Sequence, residues 1–303
     1  MKKFFKIFIV SFLIILSIPI TTKASNNQDY IIEMKRDILS LMLAYPDYIK
    51  GVEKLSDDKV YIVMKSGKKI LYDDKREKSH DEKLANPDIQ DMMEQYYPLT
   101  KNNSVVDKGL DPGRARNYNL LNEVYGNSKN AIEKNLSRLK YGYTNYQFNS
   151  QNSANASLEN ALREIIPLSK GRNDIGAILY PASGTYNYRV ISGTGRLSPH
   201  AFGIAIDLKS DPRDYWKWSS KEKGSKRVSE YPTELVEAFE KNNFVWGGKW
   251  NHFDILHFEY RPEIILKARY FSDNKNSENW FDGAPIDEEN TKNYINLIDE
   301  NLK

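Results

Sequence analysis

Hydrophobic positions along this chain change period several times, and each change marks a different predicted element. Between Asp29 and Glu53, residues Ile32, Met34, Ile38, Leu41 and Met42 recur at roughly helical intervals until Pro46 disturbs the pattern, which predicts an amphipathic helix. Val60 to Met64 and Ile70-Leu71-Tyr72 are short apolar runs joined through Ser66-Gly67, the pattern of a β-hairpin. The charged stretch Asp73 to Lys83, which carries His80, reads as a solvated loop. Asn86 to Pro98 is a short acidic and aromatic segment, and Lys101 to Asp111 is polar enough for a linker. Asp111-Pro112-Gly113-Arg114-Ala115-Arg116 leads into Leu120, Leu121 and Val124, the start of a helix. Ser128 caps a predicted helix running through Leu139, and another begins at Leu158 and stops near Pro167 and Gly171.

Period two dominates further on. Ile175 to Tyr180 and Tyr186 to Ile191 are predicted strands separated by Pro181-Ala182-Ser183-Gly184, the second delivering the chain into Gly193-Thr194-Gly195. No P-loop Lys-Ser/Thr follows those glycines, so they suit close approach of backbone to a peptide better than a phosphate cradle. Gly203 to Leu208 reads as a buried strand whose last polar residue is Asp207. Ile255, His257 and Glu259 alternate with Leu256, Phe258 and Tyr260, which puts His257 and Glu259 on one strand face with Asp254 in the turn before it. Tyr215 to Trp218 and the charged run Ser219 to Arg227 form an insertion between these strands; a helix follows from Pro232 with Leu235, Val236 and Phe239 on its apolar face. Phe244 to Trp250 then turns the chain back, with Gly247 and Gly248 allowing backbone close to a cleft. After Arg261-Pro262 the chain is mostly polar, and Phe271, Trp280 and Ile295 to Leu302 are expected to pack a small extension on the outside.

Composition changes this picture at the N-terminus. Met1 to Lys6 is basic, Ile7 to Ile20 is largely apolar, and Thr22-Lys23-Ala24-Ser25 ends in small residues, the pattern of a secretory signal peptide over residues 1–24, with an uncleaved anchor as the alternative. The formal charge is +3, but Lys2, Lys3, Lys6 and Lys23 supply +4 with no acid among them, so the remainder is near −1 (3 − 4). That balance speaks against a nucleic-acid partner and against a membrane partner other than through the leader. With no cysteine, neither disulfides nor a lipidated N-terminal thiol is available. The whole reads as an α+β chain: a helical and hairpin region over 25–150, a catalytic domain over 151–270 built on a small antiparallel sheet with flanking helices, and a C-terminal extension over 271–303.

The chemistry concentrates between Ser198 and Tyr260. Of four histidines in the chain, His200, His252 and His257 lie there; His200 and Asp207 form an H-x6-D pair and Asp254 and His257 a D-x2-H pair. Two imidazoles and a carboxylate suit Zn²⁺ with one position left open, and a further carboxylate beside the metal is what a hydrolytic site needs as general base. On an unbroken strand His200 and Asp207 would face opposite sides. A bend at Gly203 is therefore required. His252 could be a ligand in place of His257, but among Trp250, Asn251 and Phe253 it reads as a turn residue behind the ligands or at the rim.

S-x-H-x2-G-x-A-x-D followed by D-x2-H-F-E resembles the zinc peptidases that include bacterial D-alanyl-D-alanine carboxypeptidases, vancomycin-resistance dipeptidases and phage L-alanyl-D-glutamate endolysins. The resemblance covers roughly Tyr180 to Glu263. It implies that His200, Asp207 and His257 are zinc ligands, that Asp254 is the catalytic base in a place where the family often has Glu, and that Ser198 binds substrate. It also implies an upstream arginine on the scissile carbonyl or a carboxylate, Arg196 or Arg189, with Arg196 nearer the ligands. The substrate implied is a peptidoglycan stem peptide, cut at D-Ala-D-Ala or at L-Ala-D-Glu. Some relatives with a longer leading region show a similar D-P-G-R stretch, so Arg114 and Arg116 are read as packing on the catalytic domain or lining one end of its cleft. The alternative function is a secreted, zinc-containing cell-wall binding module without hydrolytic activity, from which the presence of Asp254 distinguishes the peptidase.

Overall fold

The computed structural model describes residues 21–142, 144–272 and 278–303; the predicted leader lies almost wholly outside these. The first helix, α1 (Thr21–Ala44), buries Met34, Ile38, Leu41 and Met42 on one face. It ends earlier than the periodicity implied. Pro46 disfavours helical geometry at Tyr45, and Ile49–Lys54 instead forms strand β1, antiparallel to β2 (Val60–Met64), which pairs in turn with β3 (Lys69–Leu71). The β2–β3 hairpin is the expected one, its turn made by Gly67 at φ +91°.

Helices α2 (His80–Ala85) and α3 (Ile89–Met93) are short and closed by capping boxes at Ser79 and Asp88. The predicted charged loop thus becomes helical from His80 onward. A long irregular connection leads to α4 (Tyr118–Tyr125), capped by Asn117. Ser128 does cap the next helix, but α5 (Lys129–Glu133) lasts five residues. It yields to β4 (Leu136–Tyr141), hairpinned to β5 (Thr144–Asn149). Leu139 and Tyr141 are buried while Arg138 and Lys140 are exposed, a period-two pattern that a helix cannot satisfy.

After α6 (Ala154–Ser169), the predicted strand at Ile175 is a helix, α7 (Asn173–Leu179), which buries Ile175, Ile178 and Leu179 at helical spacing. Short apolar runs carry no intrinsic choice between the two states. The second predicted strand, near Tyr186 to Ile191, is open loop with a single bridge, Val190 to Leu197.

The remaining elements are α8 (Pro199–Phe202), β6 (Ala205–Asp207), α9 (Lys221–Glu230), α10 (Thr233–Lys241), β7 (Phe244–Trp246), β8 (His257–Tyr260), α11 (Pro262–Phe271) and α12 (Glu289–Asn301). The central sheet has strand order β6-β8-β7, all antiparallel. Phe239, Phe244, Phe258 and Trp246 stack on its inner face, and this packing sets the register that the site depends on. The architecture is α+β.

The leading segments are bonded to the elements that flank the sheet. Tyr97 Oη donates to Glu240, Tyr45 Oη donates to Glu263, and Arg261 donates to the carbonyls of Gly113 and Ala115. Helix α11 is largely buried and lies on α1, and α12 lies on α1 and β1.

Candidate metal centre

Asp207 and His257 meet because they are directly opposed partners in the β6–β8 ladder. Directly opposed residues of an antiparallel pair project to the same face of the sheet. His200 arrives by a different route. Ser198 caps α8, Pro199 starts it, and Gly203 ends it at φ +70°, a left-handed turn that glycine adopts without strain. A Cβ at Gly203 would lie 2.7 Å from Leu136 Cδ2 and 3.1 Å from the Asn149 nitrogen. This is the bend the sequence required, and it carries the imidazole over the start of β6.

His257 Nδ1 lies 2.8 Å from Asp207 Oδ1, His200 Nε2 lies 3.2 Å from Asp207 Oδ2, and the two nitrogens are 3.3 Å apart. Ligand atoms held about 2.0–2.1 Å from Zn²⁺ at tetrahedral angles are about 3.3 Å apart. Two of the three separations already match that edge, and the 2.8 Å between His257 and Asp207 needs only a small opening, so the donor set suits a divalent cation.

A second layer fixes each ligand. His200 Nδ1 is 2.6 Å from the Thr185 carbonyl, so its Nε2 is the free ligand atom. The Thr185 segment is itself anchored to β6, since Asp207 N donates to Gly184 O at 2.8 Å. Behind His257, Nε2 faces Glu259 Oε2 at 3.6 Å. Glu259 is fully buried and grips Arg116, whose Nε lies 2.8 Å from Oε1 and whose Nη2 lies 2.5 Å from Oε2. The charges follow. Burial pushes Asp207 up, but the imidazoles, His200 first, outweigh it and hold the carboxyl well below its usual range. Burial likewise opposes the charged form of His257, yet Asp207 and Glu259 overcome it and push this imidazole up to about 9. Burial also raises Glu259, and Arg116 more than reverses that.

Asp254 occupies the turn before β8. Its backbone N donates to Gly247 O at 3.0 Å, its carbonyl accepts from His257 N at 3.0 Å, and it forms a bridge with Tyr215. A Cβ at position 247 would come within 2.3 Å of the Asp254 carbonyl, so glycine is obligatory for this approach. Burial pushes the Asp254 carboxyl up to about 6; His257, Arg114 and His200 pull it down and Asp207 repels it. Arg114 reaches this turn from the D-P-G-R stretch: its Nη1 donates to the His252 carbonyl at 2.6 Å, and its guanidinium lies 5.2 Å from the Trp250 ring.

The other sequence candidates lie elsewhere in the same neighbourhood. Ser198 is buried, and its Oγ accepts from the His200 backbone nitrogen at 3.3 Å. Arg196 Nη1 donates to the Leu84 carbonyl at the end of α2. Arg189 is exposed, and its side chain makes no hydrogen bond or ion pair among the described residues. His80 and His252 do not join the triad; both contact Asp111. Arg116 and Arg114 are the functional neighbours that motif reading underweighted. Their signal was the run of turn residues and cations in Asp111 to Arg116, whose target cannot be seen from spacing alone.

Residues 192–260 match a family model described as D-alanyl-D-alanine carboxypeptidase. The match spans His200, Asp207, Asp254 and His257 and stops short of the leading region and of α11 and α12. It supports a peptidase acting on cell-wall peptides. Neither the curated proteins nor the solved structures gave a match to this chain.

Proposed function

We propose that this chain is an exported zinc metallopeptidase that hydrolyses an amide bond of peptidoglycan stem peptides, removing the terminal D-Ala from D-Ala-D-Ala. The observation that carries the reading is the convergence of His200 Nε2, His257 Nδ1 and Asp207 within 2.8–3.3 Å of one another, inside the segment that matches a carboxypeptidase family. Zn²⁺ held by these residues would supply Lewis acidity toward the scissile carbonyl and make water nucleophilic near neutral pH.

The side chains do the rest. Asp254, beside the triad and not part of it, takes a proton from the attacking water and returns it to the leaving amine nitrogen. Its raised pKa, about 6, suits a group that must both accept and give a proton near neutrality. Glu259 and Thr185 hold the imidazoles in the tautomers that offer Nδ1 of His257 and Nε2 of His200. The loop between Tyr186 and Leu197, which carries Arg189 and Arg196, runs beside α8: Ser198 N donates to the Arg189 carbonyl and Asn187 N to the His200 carbonyl. Arg196 is partly spent on Leu84, which leaves Arg189 the freer cation for the substrate's carboxylate or its developing oxyanion. Ser198 acts through the start of α8, setting where His200 stands.

Export rests on the N-terminal residues, which carry a basic start, an apolar run and a small-residue end. Among the described residues no helix is long and apolar enough to cross a membrane. The test is mass spectrometry of purified pentapeptide muropeptides after incubation with the enzyme. Loss of a single D-Ala, abolished by a chelator and restored by Zn²⁺, supports the reading. Release of a larger stem fragment would reassign the bond to L-Ala-D-Glu, and hydrolysis indifferent to chelation would remove the metal from the account.

A further inference from the structure

The chain's four histidines fall into two sets of the same composition. One is the triad of His200, Asp207 and His257; the other is His80, Asp111 and His252, whose ligand atoms all lie within 4.8 Å of one another. Three separate segments build the second set: His80 opens α2, Asp111 lies within the irregular connection between α3 and α4, and His252 sits two residues before Asp254.

Asp111 is the unusual member. Its side chain is wholly shielded from solvent, and among the described residues its only ion-pair partners are the two imidazoles. Both imidazoles address one oxygen: His80 Nε2 and His252 Nδ1 each lie 2.7 Å from Asp111 Oδ2. The other oxygen accepts from the His252 backbone nitrogen at 2.9 Å. The two rings are nearly parallel, 7° apart in plane with centroids 6.1 Å apart, so they present their nitrogens side by side. A buried carboxylate without a cation is costly, and the neighbouring Arg114 directs its Nη1 to the His252 carbonyl instead.

We infer that His80, Asp111 and His252 form a second divalent-metal site, of a class that Zn²⁺ fills. Two imidazoles and a carboxylate match zinc and its borderline neighbours and do not match Ca²⁺ or Mg²⁺. Binding requires the nitrogen–oxygen separations to open from 2.7 Å to about 3.3 Å, the tetrahedral edge, which small rotations of two partly exposed imidazoles supply. Beside His80 and Asp111, on the side away from His252, lies a cavity of ≈ 20 Å³, also lined by Lys83, Glu94 and Gln95, with room for about one water. The ion is structural: it ties α2 and the Asp111 loop to the turn that carries Asp254. This inference does not depend on what the first triad hydrolyses.

The test is metal stoichiometry of the full chain. The protein is stripped with a chelator, reloaded with excess Zn²⁺, desalted into metal-free buffer and measured by elemental analysis, with Co²⁺ absorption as a second signature. Two equivalents per chain are expected, falling to one in His80→Gln and to one in His257→Ala. Glutamine keeps a hydrogen-bond donor for Asp111 while being a poor zinc ligand, so this variant should fold, with an unchanged circular dichroism spectrum. A single equivalent in the unmodified chain that His257→Ala removes and His80→Gln spares would overturn the inference. A single equivalent removed by His80→Gln and spared by His257→Ala would uphold it and refute the metal reading of the first triad instead.

Discussion

Asp207 serves two imidazoles with two different oxygens, Oδ1 toward His257 and Oδ2 toward His200, whereas Asp254 faces the same space without joining it. A residue of the triad and Asp254 should therefore separate cleanly on substitution. In His257→Ala the first-triad metal is lost together with hydrolysis; in Asp254→Asn the metal stays and kcat falls by about 10²–10⁴-fold, the usual worth of a general base. Elemental analysis alongside muropeptide kinetics reads both. The pH profile has a definite sign. Burial sets Asp254 at about 6 in the metal-free site, with His257, Arg114 and His200 already pulling downward; a bound cation pulls the same way. A base works only when deprotonated, so kcat/KM falls as the pH drops through about 6 or below. A third substitution probes the layer behind. Glu259→Gln leaves Arg116 charged and buried without its carboxylate, while Arg261 keeps Glu263; breaking that one buried pair costs about 3–5 kcal/mol of stability, measurable by denaturant unfolding.

At the scale of elements, two glycines hold the site in shape. Gly203→Ala places a side chain at φ +70° against Leu136 and the Asn149 backbone, so α8 shifts and the metal is bound more weakly. Gly247→Ala pushes on the Asp254 carbonyl, so the metal is retained and kcat drops. Comparing zinc affinity and rate in the two variants separates ligand placement from base placement. The ligand motif was legible in the sequence because its residues are local: the H-x6-D pair needs one bend, and Gly203 was there to make it. The β6–β8 opposition could be expected but not registered, since register is set by the aromatic stack beneath the sheet. Ile175 to Leu179 was misread because five apolar-rich residues satisfy either period, and Leu136 to Tyr141 because a good cap at Ser128 says where a helix starts and nothing of where it stops. The second cluster was invisible for a different reason. His80 and Asp111 are 31 residues apart, and His252 a further 141, with no spacing rule to join them.

For the whole molecule, the leading region packs into the unit that carries the triad. Arg116 compensates Glu259 behind His257, Arg114 holds the turn of Asp254, and Tyr97 and Tyr45 bond Glu240 and Glu263 from the outer elements. The buried apolar residues form one continuous cluster from Met34 to Leu302. A fragment beginning at residue 118 should accordingly lack a cooperative thermal transition, whereas the chain from residue 25 onward melts in one step; calorimetry of the two distinguishes them. The account as a whole depends on one ion lying where three side chains meet. Anomalous diffraction at the zinc edge, from crystals grown with Zn²⁺, reads that directly. The predicted result is a peak about 2.0–2.2 Å from His200 Nε2, His257 Nδ1 and an Asp207 oxygen, with Asp254 beside it and unbound; a map with no peak among those atoms would contradict it.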